Sequence, residues 1–354
     1  MTAHLPVVIV GGGLVGLTIA RELRRHAIRA TVLEKAAAPP RFGYTMHLSA
    51  GLFEAAQLPP SLGRAHGKEG MIVQRAALEQ YLAAQVTDQL RYNASVVAVE
   101  QVQSPIGDSY HRLTLQNGER LDARRVIGAD GVHSVLRQHF CPSVEKTVLP
   151  FVVMRGKRQI AQAEAQSLFG TAWRVSELVN GTLFQSQCDA LEEEESDVVP
   201  ISWTFSRPAL PSSDPLFRPY RTLGEANVIP DAFYEELASL LPLVMTRALR
   251  HLFSPTSLRE DRTLSWLMRS VTPDVPLLAT LAREKHIYLL GDALCSEPIL
   301  GGYGADHGLR DAVSFAQMVA ESHWEAAPQW YTERPWQQRV ADSVHRLHSM
   351  HTPQ

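Results

Sequence analysis

Residues 7–34, VVIVGGGLVGLTIARELRRHAIRATVLE, decide the fold. The apolar run 7–10 predicts a central parallel strand, since a strand covered on both faces needs no polar alternation. Gly11, Gly13 and Gly16 follow in G-x-G-x-x-G spacing. They open a segment with helical apolar rhythm at Leu14, Leu17, Ile19, Ala20 and Leu23. A second strand, ATVLE, ends at Glu34, with Lys35 beyond it. One glycine permits a tight turn, a second lets backbone approach a pyrophosphate, and the third brings helix and strand together. The helix start around Leu14 and Val15 offers amide donors to phosphate. An acid about 20 residues further on accepts the hydroxyls of a ribose, which favours FAD or NAD over NADP. Glycine spacing alone is weak evidence; here strand, glycines, helix, second strand and acid agree.

The rest of the chain bounds the reading. Its 354 residues predict two domains, or one large α/β domain with an insertion. A net charge of −3 gives no electrostatic case for nucleic acid or an anionic membrane. Cys141, Cys188 and Cys295 form no spaced pair, so neither a disulfide framework nor a zinc site is expected, and a cytoplasmic setting is. The apolar N-terminus lacks a basic start and has three glycines at its centre, which excludes a signal peptide. No run of about 18 apolar residues predicts a membrane span. The acidic stretch 191–197 reads as a solvated loop. His345, His348 and His351 share a helical face near the C-terminus; without a carboxylate partner a solvated face is expected there, and no metal.

Further βαβ units do not follow. Instead come RFGYTMHLSAG (41–51), a helical VQRAALEQYLAAQV (73–86), a β-like ASVVAVEQV, and a hairpin around Asn117-Gly118. RVIGAD (125–130) is another strand ending in an acid, Asp130, followed by Gly131 and a helix that Ser134 helps start. Near the other end, LLGDALCSEPILGGYGADHGLRDA (289–312) places Gly291 and Asp292 after a short apolar strand, then a loop of proline and glycines. Between them, TVLPFVVM, TLFQSQCD, VVPISWTFS and RTLSWLMRS predict a sheet with one covered face, to which Phe151, Phe184, Trp203, Phe205 and Trp266 contribute.

The ordered set of the glycine fingerprint, GADGVHSVLR and LLGDALCSEPILGGYGADHGLRDA resembles the flavin-dependent monooxygenases of the para-hydroxybenzoate hydroxylase type (group A). The resemblance implies an α/β fold. A Rossmann-like FAD domain would span 1–149 and return over 276–325, with an inserted β-sheet substrate domain over 150–275 and a C-terminal helix over 326–354. It implies that Gly11, Gly13, Leu14, Val15, Gly16, Glu34, Lys35, Arg75, Asp130, Gly131, Gly291 and Asp292 hold FAD. Pro298, Gly302 and Gly304 would lie beside the flavin ring, and the backbone at Ala305 and Asp306 would face its pyrimidine edge, where amide donors favour negative charge. It also implies NADPH or NADH as co-substrate, O2, a flavin C4a-hydroperoxide, and a hydrophobic aromatic or polyketide/terpenoid-like substrate in a largely apolar pocket. His47, Tyr44 and Pro298 are the candidate catalytic positions. The chain departs from the pattern at Cys295, Asp306, Pro298 and His47. A non-redox FAD-dependent cyclase or isomerase, and a non-catalytic flavin-binding protein, are the alternatives. Nothing in the sequence indicates an oligomeric state.

Overall fold

The run Val7–Val10 is strand β1, buried along its whole length. The structure, a computed structural model, describes residues 5–40, 43–66, 70–104, 109–189, 197–211, 213–301 and 303–353. Strands β2 (Ala30–Leu33), β3 (Thr45–Ser49), β4 (Gly63–His66), β5 (Gly70–Gln74) and β6 (Leu90–Arg91) come next. The series continues with β7 (Val96–Gln103), β8 (Ser109–Leu115), β9 (Arg120–Ala123) and β10 (Arg125–Gly128). The long β11 (Thr147–Ala161) is followed by β12 (Arg174–Val179), β13 (Thr182–Cys188), β14 (Val198–Pro208) and β15 (Arg262–Ser270), and β16 (Ile287–Leu289) closes the series.

The chain divides into two compact units. The first holds Met1–Thr147, Ser270–Glu297 and Gly302–Ser343; the second holds Val148–Arg269, Pro298–Gly301 and Val344–Gln354. In the first, a parallel sheet runs β16-β10-β1-β2-β6. The fully apolar β1 and β16 suit strands buried on both faces. Helix Leu14–Arg25 rises directly from the glycine turn. A Cβ at Gly16 would overlap the Gly11 carbonyl oxygen, so the helix start can touch the strand end only without a side chain. Two antiparallel sheets, β3-β5-β4 and β7-β8-β9, complete this unit, the second containing the hairpin at Asn117-Gly118, where Gly118 has φ +86°. At β16, the Tyr331 hydroxyl accepts from Leu289 N at 2.9 Å and donates to Leu289 O at 3.0 Å.

The second unit is a five-stranded sheet, β12-β13-β14-β11-β15. One face is covered by helices Asp231–Leu240, Arg247–Leu252 and Pro255–Glu260, which close over Met154, Phe184, Trp203 and Phe205. Trp203 stacks on Phe233, and its Nε1 donates to Asp261, which also receives a bidentate Arg158. Phe184, Trp203 and Phe205 are therefore core. On the other face Phe151, Val153 and Met268 pack with Leu300 and Leu347. His351 corrects the expectation of a solvated histidine face: it is buried, Nδ1 lies 2.8 Å from Leu347 O, and Nε2 lies 3.0 Å from Ser206 Oγ. His345 and His348 are exposed as expected.

Candidate functional site

The site is built at the carboxyl ends of β1, β10 and β16, three neighbouring parallel strands, where an open α/β sheet leaves a crevice for a ligand. At the first end, Gly13 begins helix Leu14–Arg25, and no side chain caps it among the described residues. A Cβ at Gly13 would meet nothing within 4 Å, so there is open space beside the helix start, as an anion site requires. Glu34 closes the turn: its two oxygens accept from Gly12 N and Ala36 N, each at 2.7 Å. Lys35 is exposed beside it.

At the second end, Asp130 Oδ2 accepts from Val135 N at 2.7 Å, while buried Oδ1 has no hydrogen-bond partner among the described residues. Burial raises the Asp130 carboxyl above its ordinary value. Gly131 has φ +77°, a backbone that favours glycine. Helix Val135–Phe140 then carries Arg137, whose buried guanidinium donates to the carbonyls of Asp292 and Ala293, each at 3.0 Å, and to Val132 O. Arg137 thus ties the second strand end to the third.

At the third end, Gly291 sits at φ +57° against Val15; a Cβ there would approach the Val15 Cγ2 to 2.8 Å. Asp292 follows. Its side chain is open to solvent but crowded by protein; that crowding and the charge of Glu297 push the carboxyl up to about 6, against the opposing pull of Arg75 and Arg137. Arg75 also pairs with the buried Glu79 at 3.4 Å and lies 5.8 Å from the Tyr44 ring. Cys295 is a buried packing thiol, pushed up to about 12 by burial.

Helix Gly304–Ser322 also starts without a side-chain cap among the described residues, so Gly304 and Ala305 offer amides. The Asp306 carboxylate turns away to Ser49 and Arg310. It accepts from Ser49 N at 2.7 Å, Ser49 Oγ at 2.5 Å and Arg310 Nε at 2.8 Å, and these hydrogen bonds outweigh burial and hold it below its ordinary value. His307 Nδ1 lies 2.6 Å from Glu297 Oε1, and Arg339 joins Glu297 to Asp311 at 3.0 and 2.9 Å. His47 lies apart, on β3, over Gly70 and 6.0 Å from the His66 ring. Pro298 is buried and belongs to the second unit; Gly302 and Arg41 lie outside the described residues. Sequence reading did not find the roles of Arg137, Glu297, Arg339, Ser49 and Arg310. Only Arg137 left a signal, as the last residue of GADGVHSVLR.

An uncapped glycine turn with room for phosphate, an acid at the end of β2 and an orphaned buried carboxylate oxygen fit FAD, and together they define a dinucleotide-binding flavoprotein of the α/β type. The "FAD binding domain" family description matches residues 43–341, and "NAD(P)-binding Rossmann-like domain" matches 9–42. The chain belongs to the FAD-binding domain family and is an FAD-dependent monooxygenase, an oxidoreductase. It is 28% identical to the FAD-dependent monooxygenase adaC of Aspergillus niger over 98% of this chain and 94% of that one. It is likewise 28% identical to aptC of Emericella nidulans, over 99% and 96%. Among solved structures, 2,6-dihydroxypyridine-3-hydroxylase from Arthrobacter nicotinovorans superposes with a TM-score of 0.74 at 16% identity, covering 99% of this chain and 92% of that one. No helix among the described residues is long and apolar enough to cross a membrane.

Proposed function

We propose that this chain consumes NAD(P)H and O2 to insert one oxygen atom into a hydrophobic aromatic or polyketide/terpenoid-like molecule, the second oxygen leaving as water. The observation that supports this most is the convergence of the Gly13 turn, Asp130 and Asp292 on the ends of three adjacent strands, in a chain that its relatives match from end to end. Bound FAD would supply the redox chemistry linking nicotinamide to dioxygen. The protein's own part is binding and orientation. Gly11, Gly13, Leu14, Val15 and Gly16 would receive the pyrophosphate, and Glu34, with lone pairs to spare, the ribose hydroxyls. Arg75, Asp130, Gly131, Gly291 and Asp292 would line the path towards the ring. The first-turn amides of helix Gly304–Ser322 would stabilise negative charge on the ring, and Asp306 does not cancel them, because Ser49 and Arg310 already hold its carboxylate.

Substrate binding is assigned to the second unit, and His47 and Tyr44 are the candidate proton-handling groups. A cytoplasmic setting belongs to the same proposal. The test is anaerobic: add NADPH or NADH to the yellow protein and follow absorbance at about 450 nm, with and without a panel of phenolic and polyketide-like compounds. Bleaching that one compound accelerates is the expected result. Protein that binds FAD but never bleaches across the panel would refute the redox assignment and favour non-redox use of the flavin.

A further inference from the structure

The cofactor site lies at the carboxyl ends of the parallel strands. The opposite end of β16 borders a second hollow, built wholly within the first unit. Two helical segments frame it: a π turn over Leu281–Lys285, and the stretch formed by Trp324–Ala326 and Ala327–Thr332. Between them lies a cavity of about 410 Å³, a volume in the range of small-molecule sites.

The frame uses backbone that is rare elsewhere. π turns recur at functional sites. His286, which ends the π turn, has φ +52°, and His323, just before Trp324, has φ +60°. Residues with a side chain adopt that region only where the surroundings hold them there. Here Trp324 packs on Tyr288 at 5.0 Å and on Phe315 at 6.1 Å, with the Arg125 guanidinium 5.0 Å from its ring.

The walls carry two opposite charges that do not meet. Arg283 and Glu325 both line the cavity and are exposed, and neither forms a salt bridge or a side-chain hydrogen bond with any described residue. Gln329 Nε2 donates to Glu333 at 2.5 Å, and Thr332 Oγ1 donates to Gln329 O at 3.0 Å. Those donors are engaged on their own helix, which leaves the Gln329 amide oxygen and the Thr332 lone pairs as acceptors. Burial, followed by the charges of Arg125 and Arg124, lowers the His286 pKa, so its ring is neutral at neutral pH. Arg124 and Arg125 oppose a bare cation, and Glu325 opposes a bare anion. Trp324 and Pro328 supply apolar wall.

We propose that this cavity binds a free α-amino acid with a large apolar side chain. Its carboxylate meets Arg283, its ammonium meets Glu325 and the Gln329 amide oxygen, and its side chain lies against Trp324 and Pro328. A zwitterion joins two charges that are too far apart to pair directly. The site stands at the opposite end of β16 from the cofactor cradle, so this ligand is not the molecule oxidised. The test is a ligand-observed NMR titration of the FAD-loaded full-length protein with L-phenylalanine, phenylpropionate and phenethylamine. The last two keep the ring and lack one charge each. Phenylalanine is expected to bind with a Kd of about 0.1–1 mM, at least about fivefold tighter than either analogue.

Arg283→Gln should erase the advantage of phenylalanine over phenethylamine and keep its advantage over phenylpropionate. Glu325→Gln should do the reverse. Both residues are exposed, so the variants are expected to fold, and a retained flavin spectrum checks that they have. No phenylalanine binding up to about 10 mM, equal binding of the three, or advantages unmoved in the folded variants overturns the proposal. The bleaching assay reports separately on the redox reading, on which this site does not depend.

Discussion

Gly13→Ala separates the cofactor cradle from the fold. The backbone there is extended, φ −79° and ψ −173°, which alanine adopts freely, and the added methyl meets no atom within 4 Å. Restricting the unfolded chain stabilises by about 0.4–1 kcal/mol. Alanine is a poorer helix start than glycine by a similar amount, so the FAD-free protein should keep its stability to within about 0.5 kcal/mol. The cofactor complex should not be spared. If the pyrophosphate occupies the open space beside Gly13, a methyl there displaces an oxygen from one charge-assisted hydrogen bond, a loss of about 1.5–3 kcal/mol. That corresponds to a Kd for FAD raised about ten- to a hundredfold. Thermal unfolding of the FAD-free protein and titration with FAD by flavin fluorescence quenching measure the two effects. Gly16→Ala is the contrast, since its methyl overlaps Gly11 and should lower Tm before any cofactor is added. Unchanged FAD affinity in Gly13→Ala, with unchanged Tm, would refute the idea that this backbone faces the phosphates.

Two further outcomes follow from the same unit. Asp306→Asn should destabilise the protein by about 1–3 kcal/mol at neutral pH, because Ser49 and Arg310 lose an ionised acceptor. The folded carboxyl titrates below its unfolded value, so its contribution is complete above the unfolded pKa of about 4 and fades as pH falls through the lower folded value; urea midpoints of wild type and variant should converge in acid. Cys295, buried and pushed up to about 12, should resist a thiol reagent in the native protein at mildly alkaline pH and react only after unfolding; rapid native labelling, mapped by mass spectrometry, would contradict its burial.

What the sequence made legible is local. The β1–turn–helix–β2 unit is written in consecutive residues, and Gly11, Gly12 and Gly16 answer close contacts with Ala129, Glu34 and Gly11. Asn117-Gly118 declares its hairpin in the same way. The groups that join the motifs are written far apart: Arg137 meets Asp292 across 155 positions, and Ser49 meets Asp306 across 257. No periodicity carries such pairings. Asp306 stood out only as a departure from the family pattern, because its partner Ser49 lies on β3, far from it in sequence. His351 looked solvated because Ser206, the residue that receives it, is 145 positions earlier. The strands of the second unit were readable one by one, yet their polar face exists only once four of them are in register, when Arg155, Thr204 and Gln185 become one row.

The hydroxyl of Tyr331 bears on the outermost strand of the parallel sheet. β16 is an edge, and an unguarded edge offers its backbone groups as a template on which another chain can add a strand. By taking both the N–H and the C=O of Leu289, one phenol does what a sixth strand would do. It does so two residues before Gly291, where the chain leaves the sheet. A single buried side chain thereby satisfies both outward-facing backbone groups of Leu289.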